Sequence, residues 1–291
     1  MLILFFSTLI YLLDKSRNKP KRDINMLRKI RVTLAIVFYV LVTLLFLDFT
    51  GTIHTWFGWM AKIQFLPAVL ALNVGVIVAL VVLTLLLGRV YCSVICPLGV
   101  FQDIISWISS KRKKKKYRFS YSRPLTVLRW VVLLLFVIAL LAGLVPLAAL
   151  IAPYSSYGRI ASTLLAPVYQ WGNNLLAFWA ERADSYAFYE TEVWMKGLPT
   201  LIVAVVTVVV LFVLAWKHGR TYCNTICPVG TVLGFLSKYS LFRPVIDTSK
   251  CKNCQLCAKK CKAACINLEK HEIDYSRCVA CMDCISTCKH G

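Results

Sequence analysis

Apolar residues are concentrated in four long blocks, which are separated from one another by polar or basic segments. The blocks run from Arg31 to Leu47, Leu66 to Leu87, Trp130 to Ile151 and Leu198 to Trp216. Each approaches the ~20 apolar residues with which a helix crosses the hydrocarbon of a bilayer. The pattern predicts four transmembrane helices, arranged as two hairpins.

The composition supports a membrane protein. Of the 291 residues, 59% are hydrophobic and 16% are charged, which is too apolar for an ordinary soluble domain. The opening run Met1 to Leu13 is shorter than a span and lacks the charged start and the small-residue cleavage site of a signal peptide. We expect it to lie at the membrane interface.

Basic residues are distributed unevenly between the predicted loops. Lys and Arg number 8 in residues 15–31, 9 in 88–124 and 12 from 217 onward, against 1 in 48–64 and 3 in 151–197. Basic loops remain in the cytoplasm, so both termini are predicted there. This explains the net charge of +21 without nucleic-acid binding. The run Lys111 to Lys116 is expected to anchor this topology and to contact anionic lipid.

The chain has 13 cysteines, and all of them fall in segments predicted to be cytoplasmic. A reducing compartment disfavours disulfides. Metal chemistry is therefore the first expectation for these thiols.

Eight cysteines form a repeat near the C-terminus. Ile246 to Cys251 matches Ile273 to Cys278, and each copy continues as Cys-x2-Cys-x2-Cys-x3-Cys. This is the spacing of a two-cluster bacterial ferredoxin, in which the fourth cysteine of each run binds the other cluster. It predicts one [4Fe–4S] cluster on Cys251, Cys254, Cys257 and Cys288, and a second on Cys278, Cys281, Cys284 and Cys261. The alternative is a structural zinc module, which needs only four ligands per metal.

The repeat departs from the ferredoxin pattern at three positions. Lys262 and Lys289 stand where proline usually follows the fourth cysteine, and Cys265 is an additional thiol. We expect Cys265 to pack beside a cluster without binding it. Positive charge on the lysines would raise the reduction potential of a neighbouring cluster.

The membrane part contains a second repeat. Residues Gly88 to Gly99 match Gly219 to Gly230, and each copy carries Tyr-Cys-x3-Cys-Pro after the second helix of a hairpin. Cysteines at i and i+4 share one face of a helix. If the copies face each other across a pseudo-two-fold axis, four thiols converge on a third iron–sulfur or metal centre: Cys92, Cys96, Cys223 and Cys227. The alternative is that these are small buried residues that shape the helix ends.

Together, the motifs Cys92 to Pro97, Cys223 to Pro228 and Cys251 to Cys288 make the chain resemble the NapH-type ferredoxin quinol dehydrogenase subunits. The membrane and iron–sulfur portion of the NosR accessory proteins is similar. The resemblance implies a multi-pass protein of the bacterial cytoplasmic membrane that exchanges electrons between the quinone pool, menaquinone or ubiquinone, and a redox partner. NosR-type proteins add an extracytoplasmic flavin domain, for which loop 151–197 is too short.

A quinone site needs hydrogen-bonding groups near each carbonyl and a base that accepts protons. The loop 48–64 offers His54 as proton acceptor, and loop 151–197 offers Tyr154, Tyr157, Arg159 and several acidic residues. The alternative is that the Trp and Tyr residues form the interfacial aromatic belt. His218 is either a donor to a cluster or an interfacial residue. We find no pair of intramembrane histidines for haem.

The expected fold is a polytopic α-helical membrane protein with a C-terminal two-cluster ferredoxin-like α+β module. The segments are 1–29 at the interface, 30–240 in the membrane domain and 241–291 in the module. The leading interpretation is a quinol-oxidising electron-transfer subunit, and the rival is an iron–sulfur accessory protein for metalloenzyme maturation or regulation. A purely structural anchor would leave eight cluster ligands unexplained. Because the chain stops three residues after Cys288, we expect it to be a fragment of a longer protein.

Overall fold

The structure is a computed structural model that describes residues 21–48, 50–112, 119–183, 188–193 and 195–288. The opening run Met1 to Leu13, most of the basic run Lys111 to Lys116 and Lys289 lie outside the described residues. The helices of the first half are α1 (Lys21–Leu47), α2 (Thr52–Phe57), α3 (Trp59–Lys62), α4 (Phe65–Leu70), α5 (Val74–Leu87), α6 (Val90–Val94) and α7 (Pro97–Arg112).

The second half repeats this order with longer inserted helices. Its elements are α8 (Thr126–Leu141), α9 (Val145–Ile151), α10 (Pro153–Ile160), a π turn (Ala161–Leu165), α11 (Ala166–Arg182), α12 (Leu198–His218), α13 (Thr221–Thr225) and α14 (Pro228–Leu236), then a 3-10 turn (Ser237–Tyr239). The C-terminal module consists of α15 (Leu256–Lys260), β1 (Ile266–Asn267), β2 (Glu272–Ile273) and α16 (Asp283–Thr287). Strands β1 and β2 pair antiparallel.

Two of the described helices are long and apolar enough to cross a membrane, judged by length and composition. They are Met26–Leu47 within α1 and Leu198–His218, which is α12. Helix α1 begins at Lys21 and so continues across the predicted segment boundary at residue 29. Two further apolar helices, α5 and α8, are shorter.

The prediction that residues 66–87 and 130–151 form continuous helices is wrong. The first is broken where Leu72 adopts a left-handed φ of 51° and the Asn73 side chain accepts a hydrogen bond from the Val76 N–H. The second is broken at Gly143, with φ of 74°. A left-handed residue ends the helical hydrogen-bond ladder, and asparagine then caps the next helix. Hydropathy summed over a segment reveals neither a left-handed residue nor a helix cap.

The segments before α5 and after α8 fold inward to reach the Tyr-Cys motifs. Gln64 is fully buried, accepts a hydrogen bond from the Tyr91 hydroxyl at 2.9 Å and donates to the Ile95 carbonyl at 3.3 Å. In the second half the Tyr222 hydroxyl donates to the Ile151 carbonyl at 2.6 Å, at the junction of α9 and α10. The two tyrosines thus satisfy polar groups where the inward segments turn.

The two halves pack crosswise. Helix α5 of the first half packs against α14 of the second, and α12 of the second packs against α7 of the first. Helix α1 contacts α6 and α7, just as α8 contacts α13 and α14. These equivalent contacts are those of a pseudo-two-fold arrangement of the repeats.

The C-terminal module is seated on the helical part by backbone hydrogen bonds. The N–H groups of Leu241 and Phe242 donate to the carbonyls of Leu85 and Leu86, both at 2.8 Å. The Arg220 N–H donates to the Lys262 carbonyl at 3.0 Å. Helix α16 also packs against α1. The predicted cysteine runs are therefore held against the ends of the helices that carry the Cys-x3-Cys-Pro motifs.

Candidate iron–sulfur sites

Each Cys-x3-Cys-Pro motif is placed by a turn, a short helix and a proline. Gly88 and Gly219 end the long helices with left-handed φ of 71° and 69°, which glycine adopts without strain. Helices α6 and α13 then carry the first cysteine of each motif, and prolines begin α7 and α14. Proline suits the first turn of a helix because its missing N–H has no partner there.

The prediction that each cysteine pair lies on one helix is wrong. Helix α6 ends at Val94 and α13 ends at Thr225, so Cys96 and Cys227 lie beyond them. Cys227 is extended, with φ −67° and ψ 118°. The physical reason is the following proline, which disfavours helical backbone at the residue before it.

Two buried arginines lock the copies together. Arg89 of the first copy donates to the carbonyl of Cys223 at 3.0 Å, and Arg220 of the second copy donates to the carbonyl of Cys92 at 2.6 Å. Both arginines are fully buried. Sequence reasoning assigned no role to them, although a signal was present: each follows the glycine that begins its repeat.

Two glycines make this close approach possible. A Cβ atom at Gly99 would lie 2.1 Å from the Cys92 carbonyl oxygen, and one at Gly230 would lie 2.2 Å from that of Cys223. These distances are far inside van der Waals contact. The first turns of α7 and α14 therefore require glycine at equivalent positions.

The structure brings the four motif cysteines into one buried cluster of the core. Each of Cys92, Cys96, Cys223 and Cys227 is 3% exposed. Burial raises the pKa of Cys223 to about 11, with Arg220 opposing the shift and Cys92 adding to it. The pKa of Cys227 is raised well above its ordinary value by burial and then by Cys223, Cys92 and Cys96. The thiols of the two copies are thus close enough to interact electrostatically.

Hydrogen-bond donors face these sulfurs. Gln102 donates its amide to Cys223 Sγ at 3.4 Å, and the Gly230 N–H donates to Cys227 Sγ at 3.3 Å. Arg89 Nη2 lies 4.0 Å from Cys92 Sγ. Donors of this kind stabilise thiolates and tune the potential of a bound cluster.

The cysteine runs of the C-terminal module share an unusual backbone. Asn253 and Ala280 have φ of 51° and 49°, and Gln255 and Met282 have φ of 60° and 59°. These positions match at the 27-residue offset of the sequence repeat. A backbone that alternates between left-handed and right-handed conformations turns successive N–H groups inward. The resulting concavities bind anions, including iron–sulfur centres.

The described cysteines of the module lie in two groups. Cys284 interacts electrostatically with Cys281, Cys278 and Cys261 and, less strongly, with Cys257, whereas Cys257 interacts with Cys254 and Cys288. The fourth cysteine of each run thus lies near cysteines of the other run. Cys265 is buried, with its sulfur 3.5 Å from that of Cys261.

Among the residues that the structure describes, no group of three or more His, Cys, Asp or Glu side chains is arranged to hold a single metal ion. Four sulfurs around one zinc, each at about 2.3 Å from it, lie within about 4 Å of one another. A four-iron cluster places one thiolate on each iron, so its sulfurs lie farther apart. The two kinds of centre therefore require different spacings between their sulfurs.

An ion network joins the module to both repeats. Asp103 on α7 accepts two hydrogen bonds of 2.8 Å from Arg220 and lies 3.6 Å from Lys262 Nζ. Lys262 also lies 3.2 Å from Asp283, which accepts a 2.6 Å bond from Arg28. Burial would raise the pKa of Asp103, but Arg220, Lys262 and Arg31 hold it well below its usual range.

The same network holds Lys262 in its charged form. Burial would lower the pKa of Lys262, but Asp103 and Asp283 outweigh it and raise that pKa. These two carboxylates are shared with Arg28, Arg31 and Arg220, so the network as a whole keeps positive charge beside the module. The effect of Lys262 on a reduction potential stays a prediction.

Positive charge that no ion pair offsets also lies at Arg89 and Arg129, with Asp274 attracting Arg129 only at longer range. Both guanidinium groups donate to the Ser276 carbonyl, at 3.1 Å and 3.2 Å, two residues before Cys278. They are 0% and 5% exposed, and within the described residues neither forms an ion pair with a carboxylate. Buried charges without counterions are costly, so an anion beside them would be stabilising.

The two histidines considered from sequence are exposed. His54 lies on α2, where its backbone N–H donates to Asp48 at 2.8 Å, and His218 lies at the end of α12. The role of His54 as proton acceptor remains a prediction. Tyr157 is fully buried and bonds the Thr43 hydroxyl at 2.5 Å, so it is part of the helix packing.

Comparison with known proteins adds independent information. A family model described as a 4Fe-4S binding domain matches residues 69–116 and 198–247, and each match contains one Cys-x3-Cys-Pro motif. An uncharacterized protein of Methanocaldococcus jannaschii is 26% identical over 242 residues, covering 82% of this chain and 74% of the relative. A comparison with solved structures found no match.

This chain covers a smaller share of the relatives that carry functional names. The ferredoxin-type protein NapH of Haemophilus influenzae is 28% identical over 201 residues, which is 68% of this chain and 56% of NapH. The regulatory protein NosR of Stutzerimonas stutzeri is 27% identical over 191 residues, which is 64% of this chain and 22% of NosR. The chain thus spans about half of NapH and a smaller part of NosR. Its similarity to the NapH-like ferredoxin-type proteins, predicted from the cysteine motifs, is confirmed.

Proposed function

We propose that this chain is a membrane-embedded iron–sulfur protein that carries electrons between the quinone pool and another redox protein. Similarity to ferredoxin-type proteins supports iron–sulfur electron transfer. The observation that carries the proposal is the pair of interlocked repeats, which holds four buried thiols beside a module with nine more cysteines, eight of them in the two runs. Iron–sulfur clusters bound by these thiols would suit transfer of single electrons.

Three clusters are proposed. The first uses Cys251, Cys254, Cys257 and Cys288, and the second uses Cys278, Cys281, Cys284 and Cys261. The third lies between the repeats and uses Cys92, Cys96, Cys223 and Cys227. The grouping of Cys284 with Cys261 and of Cys257 with Cys288 supports the crossed ligand sets.

The buried arginines support anionic clusters at these places. A four-iron cluster with four thiolate ligands is an anion. Arg89 faces Cys92 and also contacts Ser276 of the module, so its charge lies between the third and the second cluster. Bound clusters would supply the counterions that Arg89 and Arg129 lack.

Four membrane crossings with cytoplasmic termini remain our proposal for the topology. The charge distribution between loops supports it. The inward-folded segments contribute length to the two shorter apolar helices. Helices α1 and α5 then form the first hairpin, and α8 and α12 form the second. In this arrangement every cluster lies at or beyond the cytoplasmic ends of the helices.

Oxidation of one quinol releases two electrons and two protons. The clusters that these cysteines would hold would supply one-electron acceptors for this oxidation, with the two protons passing to water and the two electrons passing on to the partner. The test is to mix the purified, cluster-loaded protein with a menaquinol analogue and to follow cluster absorbance and EPR. We expect rapid reduction; clusters that dithionite reduces but that stay oxidised with quinol would contradict the proposal.

A second candidate function is an accessory role in maturing or regulating a metalloenzyme. It is favoured by the similarity to a protein named regulatory protein NosR. Inertness toward quinol, together with copurification of an immature enzyme, would support this role instead.

A further inference from the structure

A cavity of about 750 Å³ lies between the C-terminal module and the helices of the first repeat. One end is formed by cysteines that we assign to the second cluster: Cys261, Cys278, Cys281 and Cys284. The other end is lined by apolar side chains of α1, α3 and α5: Leu34, Phe38, Trp59 and Leu83. The volume is in the range of small-molecule sites.

A cluster would occupy only one end of this cavity. Iron bonded to the four thiols must remain next to them, whereas Phe38, Trp59 and Leu83 offer no ligand atom. The remaining space is apolar and adjoins helices α1 and α5. The exposed faces of these helices are also apolar, with Val37 46% and Val78 54% exposed. An apolar molecule dissolved in a bilayer would therefore find apolar surface continuing from the outside of these helices to the cavity.

One charged residue lies in the otherwise largely apolar lining. Arg31 is 8% exposed, and its Nη1 lies 3.7 Å from Asp103, which keeps the positive charge in place. Its Nε–H has no acceptor but is fully enclosed, so a ligand in the cavity does not reach it. The surface offered to a ligand is therefore mainly apolar.

We propose that this cavity binds an isoprenoid quinone, with the ring toward the module cysteines and the tail lying along Leu34, Phe38 and Leu83. The inference rests on the proposed exchange of electrons with quinones and assigns it a site. It places the ring beside the second cluster, whereas exposed His54 does not line the cavity.

The test is equilibrium binding of a short-tailed naphthoquinone to the full-length, cluster-loaded protein. Leu83→Trp would fill the cavity, and Val78→Trp places the same ring on the exposed face of the same helix as a matched control. We expect Leu83→Trp to weaken binding at least ~10-fold and Val78→Trp to leave it unchanged. Cluster EPR spectra report whether each variant is folded.

The outcomes separate this site from the function on which it rests. If quinol reduces the clusters but Leu83→Trp binds quinone as the parent protein does, the assigned site is wrong and the proposed function stands. If the parent protein neither binds quinone nor is reduced by quinol, the proposed function fails as well. A saturated alkane of equal length that displaces the quinone as effectively as a second quinone would show a lipid slot and would overturn the assignment.

Discussion

The Nη2 atom of Arg89 lies 3.0 Å from the carbonyl oxygen of Cys223, so a side chain of the first repeat holds the backbone of the second. Arg220 makes the reciprocal bond to Cys92. The repeats differ in how these charges are balanced, because Asp103 pairs with Arg220 while the equivalent position of the second repeat is Gly234. This reciprocal pair of hydrogen bonds makes the fold of each repeat depend on the other and brings their thiols together.

Gly99 and Gly230, which lie against the cysteine carbonyls of the two motifs, should tolerate no side chain. Gly99→Ala and Gly230→Ala place a methyl group against a cysteine carbonyl, and overpacking of this kind costs about 1–3 kcal/mol or more. The control is Gly172→Ala on α11, where a Cβ meets nothing within 4 Å. Thermal unfolding of the purified proteins should show lowered midpoints for the first two variants and an unchanged midpoint for the control. Equal midpoints for all three would contradict this close contact between the repeats.

Asp103 should make stability dependent on pH. Its pKa is depressed in the folded protein, so its contribution is present above the ordinary value of 3.8 and is lost as the pH falls toward the folded value. Asp103→Asn leaves Arg220 buried without its carboxylate, which costs about 3–5 kcal/mol. The variant should therefore be destabilised at neutral pH and should lose less of its remaining stability on acidification.

The matched control for that experiment is Asp247→Asn. Asp247 pairs with Lys250 at 3.8 Å on the surface, where its side chain is 54% exposed. Exposed pairs contribute little, so this variant should unfold like the parent protein. An unfolding midpoint of Asp103→Asn that matches the control would mean that the network does not stabilise the docked module.

Crossed ligation can be tested with one cysteine from each run. Cys261→Ser should damage the cluster on Cys278, Cys281 and Cys284, and Cys288→Ser should damage the other one. EPR of the two variants, with iron and sulfide assays, would distinguish the signals. Damage by Cys261→Ser that is confined to the Cys251 cluster would show uncrossed ligation.

The topology predicts opposite results for two reporter fusions. Alkaline phosphatase, which is active only outside the cytoplasm, should be active when fused after Lys62 and inactive when fused after Ser122. The physical reason is the excess of basic residues in the second loop. An active fusion after Ser122 would contradict the predicted topology.

The sequence predicted the features that repeat. Two copies at a fixed offset are visible without coordinates, and the matched left-handed residues Asn253 and Ala280 confirm that the duplication extends to the backbone of the module. Long apolar blocks predicted α1 and α12 well, because uninterrupted hydropathy over a full span leaves few alternatives.

Features that depend on a single residue or on long-range contact were missed. The break at Leu72 needs one left-handed residue, and nothing in a hydropathy sum marks it. The bonds from Arg89 and Arg220 join residues more than 100 positions apart, so no local pattern reports them. Asp103 could have been noticed as a lone carboxylate in a basic segment, but its partners come from three separate parts of the chain.

Iron and sulfide content of the parent protein, Cys92→Ala, Cys223→Ala and the double variant tests the shared third site most directly. Three four-iron clusters correspond to about 12 iron and 12 sulfide per chain, and loss of one leaves about 8 of each. Because the thiols bind one centre, each single variant should fall to about 8 and the double variant should fall no further. A parent protein with about 8 iron, unchanged in all three variants, would contradict the third cluster and would leave the paired motifs as helix-end structure.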